Sequence, residues 1–173
     1  MDELLQDVLV EFRRHKSLAD RAMASLDDDE FFRRPADLVN SVAIIVKHLS
    51  GNLRSRWTDF STSDGEKDSR DRDREFLLAE EDTRAKLLAA WDQGWDVLFG
   101  TVERLTAADL ARSVTIRGES HTVVQALLRG LTHAAYHVGQ ILYLVRQLRP
   151  DSTWLTIAPG QSRAHRADYR AAP

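Results

Sequence analysis

The residues with the greatest capacity for chemistry in this chain are six histidines, because its 173 residues include no cysteine. Two of them, His133 and His137, are four positions apart in the segment THAAYHVGQI. On a helix this spacing places both imidazoles on one face, where they can bind one divalent ion, as the histidines of HExxH zinc enzymes do. The spacing alone is a weak signal, since such pairs are also common on polar surfaces and in hydrogen-bonded cores.

A third histidine, His48, lies in the segment KHLSGNLRSRW. If its helix is antiparallel to that of His133 and His137, the C-terminal end of one helix lies level with the N-terminal end of the other. Helical rise then places His48 about 15 Å from that level and the His133/His137 pair about 15–21 Å from it, so their heights agree. Apolar residues share the face of the pair, so we expect that face to be buried, where imidazoles need hydrogen-bond partners or a metal. Three histidine ligands with an open fourth position is the ligand count of a catalytic metal site. Imidazole suits Zn²⁺, Ni²⁺, Fe²⁺ or Co²⁺ better than Mg²⁺ or Ca²⁺.

The other three histidines have weaker patterns. His15 lies on an apolar stripe between Phe12 and Ala19, which predicts a core or pocket-edge residue. His121 directly precedes the last helix and is interpreted as a loop contact or a pocket residue. His165 lies in a polar tail, and we expect it to play no part in a site.

Several function classes lack their signatures. Ala134 stands where the zinc-protease motif has its general-base glutamate, and neither GxSxG, GxGxxG nor a P-loop occurs. Without cysteine there is no disulfide, thiolate zinc site or cysteine nucleophile. A formal net charge of −3 gives no electrostatic footprint for nucleic acid. No apolar stretch approaches the roughly 20 residues of a membrane span, and the N-terminal segment is not a secretory signal, so we expect a cytoplasmic protein.

Four long amphipathic segments must position these residues. Apolar periodicity predicts helices over about 4–26, 41–60, 75–101 and 122–149. Trp91 and Trp95 in the third helix are interpreted as core residues. Four long helices with almost no strand predict an all-α four-helix bundle, formed as a single domain over residues 1–173.

The connections between the helices differ in kind. Residues 61–75, STSDGEKDSRDRDRE, alternate in charge without an apolar period, which predicts a solvated, exposed connection. At roughly 3.3 Å a residue it could run the length of a bundle, so the second and third helices could be parallel. The segment SVTIRGESH predicts a small hairpin before the last helix, and Thr122 with Gln125 forms a capping-box pattern.

The chain resembles the DinB/YfiT-like superfamily, and within it a bacterial subfamily with an HxxxHxGQI motif. The segments that carry the resemblance are NSVAIIVKHLSGNLRSRWTDF, DGEKDSRDRDREF, VTIRGESHTV and THAAYHVGQI. It implies a four-helix bundle with up-down-down-up topology. It also implies a divalent-metal site whose three histidines correspond to His48, His133 and His137.

Characterised members of the superfamily include maleylpyruvate isomerase and transferases that use bacillithiol, mycothiol or glutathione. The resemblance therefore implies a metal-dependent enzyme of the thiol S-transferase or hydrolase type, with Zn²⁺ or Ni²⁺ and a small-molecule substrate or thiol, often as a homodimer. The alternative is a non-catalytic stress-response protein that binds a metal or ligand. A third hypothesis is a bundle that serves only as an interaction module.

Further residues are candidates for a substrate pocket around the three histidines. Asn52 and Gln140 could orient a substrate, and His121 could border the pocket. Polar and charged side chains that could bind a carboxylate or a thiol cofactor are Arg54, Arg56, Arg117 and Glu119. For any one arginine, the alternative interpretation is a surface ion pair without a role in binding.

Overall fold

A computed structural model describes residues 2–164 of the chain, and within them the predicted all-α bundle is confirmed. Its helices are α1 (Glu3–Met23), α2 (Asp28–Phe32), α3 (Val42–Trp57), α4 (Arg84–Arg104) and α5 (Val123–Leu148). Two strands, β1 (Ser113–Ile116) and β2 (Glu119–Thr122), form the predicted hairpin before α5. Among the described residues, no helix combines the length and apolarity that a membrane crossing requires.

The direction of α4 follows from its contacts with the two helices on either side of it. Arg13, in the middle of α1, is 2.6 Å from Glu103 near the end of α4, while Arg84 at the start of α4 donates to the carbonyl of Met23 at the end of α1, so these two helices are antiparallel. Lys47 in α3 is 2.6 Å from Asp82 just before α4. Thr101, near the end of α4, donates a hydrogen bond to the carbonyl of Trp57 at the end of α3. Helices α3 and α4 are therefore parallel, as the long connection between them allows.

Helix α5 runs antiparallel to α3. Gly130 in its first half packs on Trp57 at the end of α3, while His137, two turns later, lies beside His48 near the middle of α3. Phe12 of α1 also lies close to Gly130, whereas Arg149 after α5 bonds Glu30 of α2. The order of directions is thus up-down-down-up.

The helix starts are fixed by side-chain caps. Ser41 and Thr122 accept hydrogen bonds from the first turns of α3 and α5. The cap at Thr122 is the one that its capping-box pattern with Gln125 predicts. The third long helix does not begin at residue 75. Residues Asp73–Phe76 form a separate 3-10 turn, the backbone is extended at Leu77, and α4 begins after its cap at Thr83. The short helix α2, capped by Asp27, lies in the stretch between the first two helices that the sequence predicts.

The core is built around aromatic side chains from three helices. Phe12 of α1 lies edge-on to Trp57 of α3 and Trp95 of α4, with ring centroids 6.1 and 6.2 Å apart. Trp91 packs on Trp95, and both are buried as predicted. The close approach of α5 depends on Gly130, because a Cβ there would lie 2.8 Å from the Trp57 ring.

The connection over residues 61–75 is not the solvated loop that its charges predict. The Asp64 carboxylate accepts hydrogen bonds of 2.8 and 2.7 Å from the backbone N–H groups of Arg117 and Gly118 in the hairpin turn. Both turn residues have positive φ, which Asp64 stabilises by binding their amides. The Gly65 amide donates to the carbonyl of Thr115 in β1. The segment is therefore tied to the hairpin and packed against α3.

Candidate metal centre

The antiparallel packing of α3 and α5 brings His48, His133 and His137 together. One ring nitrogen of each lies within 4.8 Å of the corresponding nitrogens of the other two. Ring centroids are 4.7 Å apart for His133 and His137, and 4.9 Å apart for His48 and His137. His48 and His137 are buried and His133 is half-buried.

His48 is oriented by a carboxylate from the connection before α4. Its Nδ1 lies 2.8 Å from Oε2 of Glu75, an arrangement in which Nδ1–H donates. Arg70 holds the same carboxylate through two hydrogen bonds of 2.7 Å. Because Nδ1 is occupied, the lone pair of Nε2 is left for an ion, which is the arrangement that outer hydrogen bonds impose on metal-binding histidines.

The space for Glu75 is provided by a glycine in α3. A Cβ at Gly51 would collide with the Glu75 carboxylate. On the other side, the ring of Phe76 stacks on His48 with centroids 4.6 Å apart. The carboxylate and the stacked ring together restrict His48 to one orientation.

The two histidines of α5 are held differently. His137 Nδ1 lies 2.9 Å from Oε1 of Gln140 and donates to it, which again leaves Nε2 with a lone pair. His133 packs edge-on against Tyr136, with ring centroids 5.1 Å apart. Within residues 2–164 its ring nitrogens form no hydrogen bond. Two oriented imidazoles and one unsatisfied imidazole therefore face one another.

The electrostatics of the cluster favour neutral imidazoles. Burial, with His137 and His48 nearby, lowers the pKa of His133 to about 3. Burial and His48 likewise lower the pKa of His137 to about 4. Burial would raise the pKa of Glu75, but hydrogen bonds from His48 and Arg70 outweigh it and hold that pKa below the ordinary value. At neutral pH His133 and His137 thus offer neutral nitrogen donors, and the carboxylate of Glu75 binds His48, a donor set that fits a divalent metal ion.

A cavity of about 580 Å³ opens beside the cluster and is lined by all three histidines. Three of the predicted pocket residues line it as well: Asn52, Arg56 and Arg117. Asn52 and Arg56 follow His48 at successive four-residue intervals along α3, so they share its face. Arg117 reaches the rim from the hairpin turn that Asp64 holds.

The structure places the other predicted residues outside this cavity. Glu119 is exposed on β2, and its carbonyl bonds His121 Nδ1. Nε2 of His121 lies 3.3 Å from the guanidinium of Arg129. Gln140 contacts His137 but borders a different cavity.

Two further candidates are also outside. Arg54 lies on the opposite side of α3 and lines a separate cavity. His15 bonds the carbonyl of Glu11 in its own helix at 2.6 Å. His165 lies outside the described residues.

Sequence reasoning missed Glu75, Arg70 and Phe76. Periodicity could not find them, because the segment has alternating charges and no apolar repeat that reports which side chains face inward. Yet the side chains of Arg70 and Glu75 are only 5% and 10% exposed. The one signal was that this segment is among those that carry the family resemblance.

Comparisons with known proteins agree with this architecture. Residues 1–161 match a family model described as "Protein of unknown function (DUF1572)". A crystal structure of a DinB-like protein, YjoA from Bacillus subtilis, is similar with a TM-score of 0.53 and 18% sequence identity. The match covers 82% of this chain and 90% of that one, which confirms the DinB-like fold. No curated protein matches the chain.

Proposed function

This chain belongs to the family described as "Protein of unknown function (DUF1572)", and we propose that it is a metal-dependent enzyme whose divalent ion is bound by His48, His133 and His137. The observation that carries the proposal is the convergence of three histidine nitrogens within 4.8 Å of one another at the end of a cavity. Imidazole donors favour Zn²⁺ or Ni²⁺ in this role.

The surroundings of the histidines support metal binding over a purely structural role. Satisfied core histidines would use both ring nitrogens in hydrogen bonds, whereas in the described part of the chain His48 and His137 each bond through Nδ1 alone. The second ring nitrogen of His48 and of His137, and both nitrogens of His133, have no partner within residues 2–164, and burying such groups is costly unless an ion supplies the missing contact. When bound, the ion would supply a Lewis acid to the cavity.

The cavity favours an enzyme over a closed structural site. Structural zinc sites are surrounded by protein ligands, whereas catalytic ones keep an open position. Here the histidines border a space of about 580 Å³, within the range of small-molecule sites. Tyr136 also lines it, and burial raises the pKa of its phenol, so the hydroxyl stays protonated and can donate a hydrogen bond to a bound molecule.

The reaction we propose is a transfer to or from a small-molecule thiol, or a hydrolysis, as the family resemblance suggests. Since the chain has no cysteine, any reacting sulfur must arrive with a substrate or a low-molecular-weight thiol. We further propose that the protein acts as a cytoplasmic homodimer. The second candidate function, metal or ligand binding without turnover in a stress response, uses the same three histidines.

The metal site is tested by elemental analysis of tag-free protein purified without a chelating resin. We expect about one Zn²⁺ or Ni²⁺ per chain, and its loss in H48A, H133A and H137A. The control variants H15A and H121A should keep the ion, because neither histidine borders the cluster. Equal metal content in all five variants, or no metal in the native protein, would contradict the proposal.

Activity screens at graded metal loading distinguish an enzyme from a protein that only binds a metal. Thiol-transfer and hydrolysis rates that rise in proportion to the bound metal would support the enzyme. Full metal loading without turnover in either screen would favour the non-catalytic alternative.

A further inference from the structure

The wall of the cavity beside the histidines is strongly cationic. Five arginines line it: Arg56, Arg70, Arg72, Arg117 and Arg129. Within the described part of the chain, no carboxylate side chain is among its lining residues. The protein as a whole has a formal net charge of −3, so this concentration of positive charge is local and does not follow from composition. Guanidinium groups collected in one cleft attract anions.

Three of these arginines lie near protein carboxylates, of which Arg72 has the weakest pairing, 3.8 Å from the exposed Asp73. Arg70 is bound to Glu75 and, at 3.1 Å, to Glu66. Arg117 lies 3.2 Å from Glu66 as well. Their charges are therefore largely compensated from behind the cavity wall.

Arg56 is not compensated in this way. It is only 6% exposed, yet within residues 2–164 it forms no hydrogen bond or ion pair, and its buried Nε has no partner. Burial and the neighbouring Arg129 lower the pKa of Arg56 to about 10, so it stays charged at neutral pH. A buried guanidinium without a partner is unfavourable unless a ligand supplies the missing acceptors.

Neighbouring donors converge on the same space. Asn52, one turn before Arg56, is 7% exposed, and its side-chain amide forms no hydrogen bond within the described residues. Arg129 of α5 has only His121 as a hydrogen-bond partner there. Arg129 lies one turn before His133 and Asn52 lies one turn after His48. Because α3 and α5 are antiparallel, both donors lie at the same end of the histidine cluster, the end nearer to Arg56.

We propose that this cavity binds a small molecule through an oxyanion group, a carboxylate or a phosphate, held by Arg56 with Arg129 and Asn52. The planar fork of a guanidinium matches two oxygens of such a group. Arg56 lies two helical turns, about 12 Å, from His48 along α3. A ligand anchored there extends toward the histidines. The inference therefore names the substrate class of the function proposed above, and it rests on that function for the position of the reacting part of the ligand.

The test uses the full chain, first stripped of metal with a chelator, and titrates it calorimetrically at constant ionic strength. The probes are succinate and inorganic phosphate, which distinguish a carboxylate from a phosphate. We expect saturable binding of at least one probe, weakened about tenfold or more in R56Q. The matched control is R54Q on the same helix, because the side chain of Arg54 lines a separate cavity. This variant should bind the probe as the native protein does.

Other outcomes are equally informative. R56K, which keeps the charge but not the fork, guards against a folding defect and should bind with intermediate affinity. No saturable binding of either probe, or equal weakening in R54Q and R56Q, would overturn the inference. Metal content, measured on the same variants before the chelator treatment, separates the inference from the proposed function. R56Q should contain the ion as the native protein does, because Arg56 is not one of the proposed metal ligands. Anion binding by a chain that takes up no metal would support the anion subsite and contradict the metal proposal.

Discussion

At the scale of single residues, Glu75 is the group on which the geometry of the site depends most. It comes from the connection between α3 and α4, passes over Gly51, and holds His48 through Nδ1 while Arg70 holds the carboxylate. Outer carboxylates of this kind fix the tautomer and orientation of a ligand histidine and raise its basicity. The loss of Glu75 should therefore weaken binding of the proposed metal ion.

Substitution of Glu75 by Gln tests this role. The amide keeps the shape of the side chain but loses the charge that binds His48 and Arg70, so we expect Zn²⁺ affinity to fall about 10–100-fold. Competition against a chromophoric chelator measures the change. Glu66→Gln is the matched control, since Glu66 also binds Arg70 but does not touch His48. Equal affinities in the two variants would show that Glu75 does not act through His48.

At the scale of elements, helix α5 carries two glycines in opposite environments. Gly130 faces the core, where a Cβ would lie 2.8 Å from the buried ring of Trp57. A Cβ at Gly139 would meet nothing within 4 Å. The pair separates the helical cost of glycine from its use in close packing.

We expect Gly139→Ala to stabilise the protein by up to about 1 kcal/mol, because alanine favours the helix. Gly130→Ala should destabilise it by about 1–3 kcal/mol, since Trp57 stacks on Phe60 and cannot move freely. Urea unfolding curves measure both changes. Stabilisation of similar size in the two variants would mean that α5 does not approach α3 and α1 as closely as the structure places it.

At the scale of the whole molecule, an ion bound by α3 and α5 links two helices that are far apart in sequence. The site is assembled only when the bundle folds, so binding should stabilise the folded state by mass action. We expect free Zn²⁺ at about 100 times its dissociation constant to raise the free energy of unfolding by up to about 2.7 kcal/mol.

Thermal or urea unfolding with Zn²⁺ and with a chelator measures this effect. His133→Ala is the control, and its stability should not depend on the ion. A shift of the same size in that variant would assign the stabilisation to metal bound elsewhere, for example by the exposed carboxylates.

The charge distribution is also a property of the whole molecule. Five arginines from α3, α5, the hairpin and the 61–75 connection meet at one cavity, although acidic residues outnumber basic ones in the chain. Net charge could not reveal this cavity, because charges far apart in sequence are combined only by the fold.

The sequence by itself determined the helices and the three histidines. Helical periodicity and capping are local, and a four-residue spacing fixes which side chains share a face, so His133, His137 and the stripe of His48 and Asn52 could be predicted directly. Helix directions came from the family resemblance and from the length of one connection. The local pattern misplaced the start of α4, because the charged residues before it carry no period.

Only the tertiary structure decided what surrounds the histidines. Asp64 ties the 61–75 connection to the hairpin, and this path delivers Arg70 and Glu75 to the site and Arg117 to its rim. It also left Glu119 and His121 outside the cavity and Arg56 in its wall, where Arg56 has no hydrogen-bond partner among residues 2–164. These outcomes depend on hydrogen bonds between segments about 50 residues apart, and an alternating run of charges does not specify in advance which of its members will be buried.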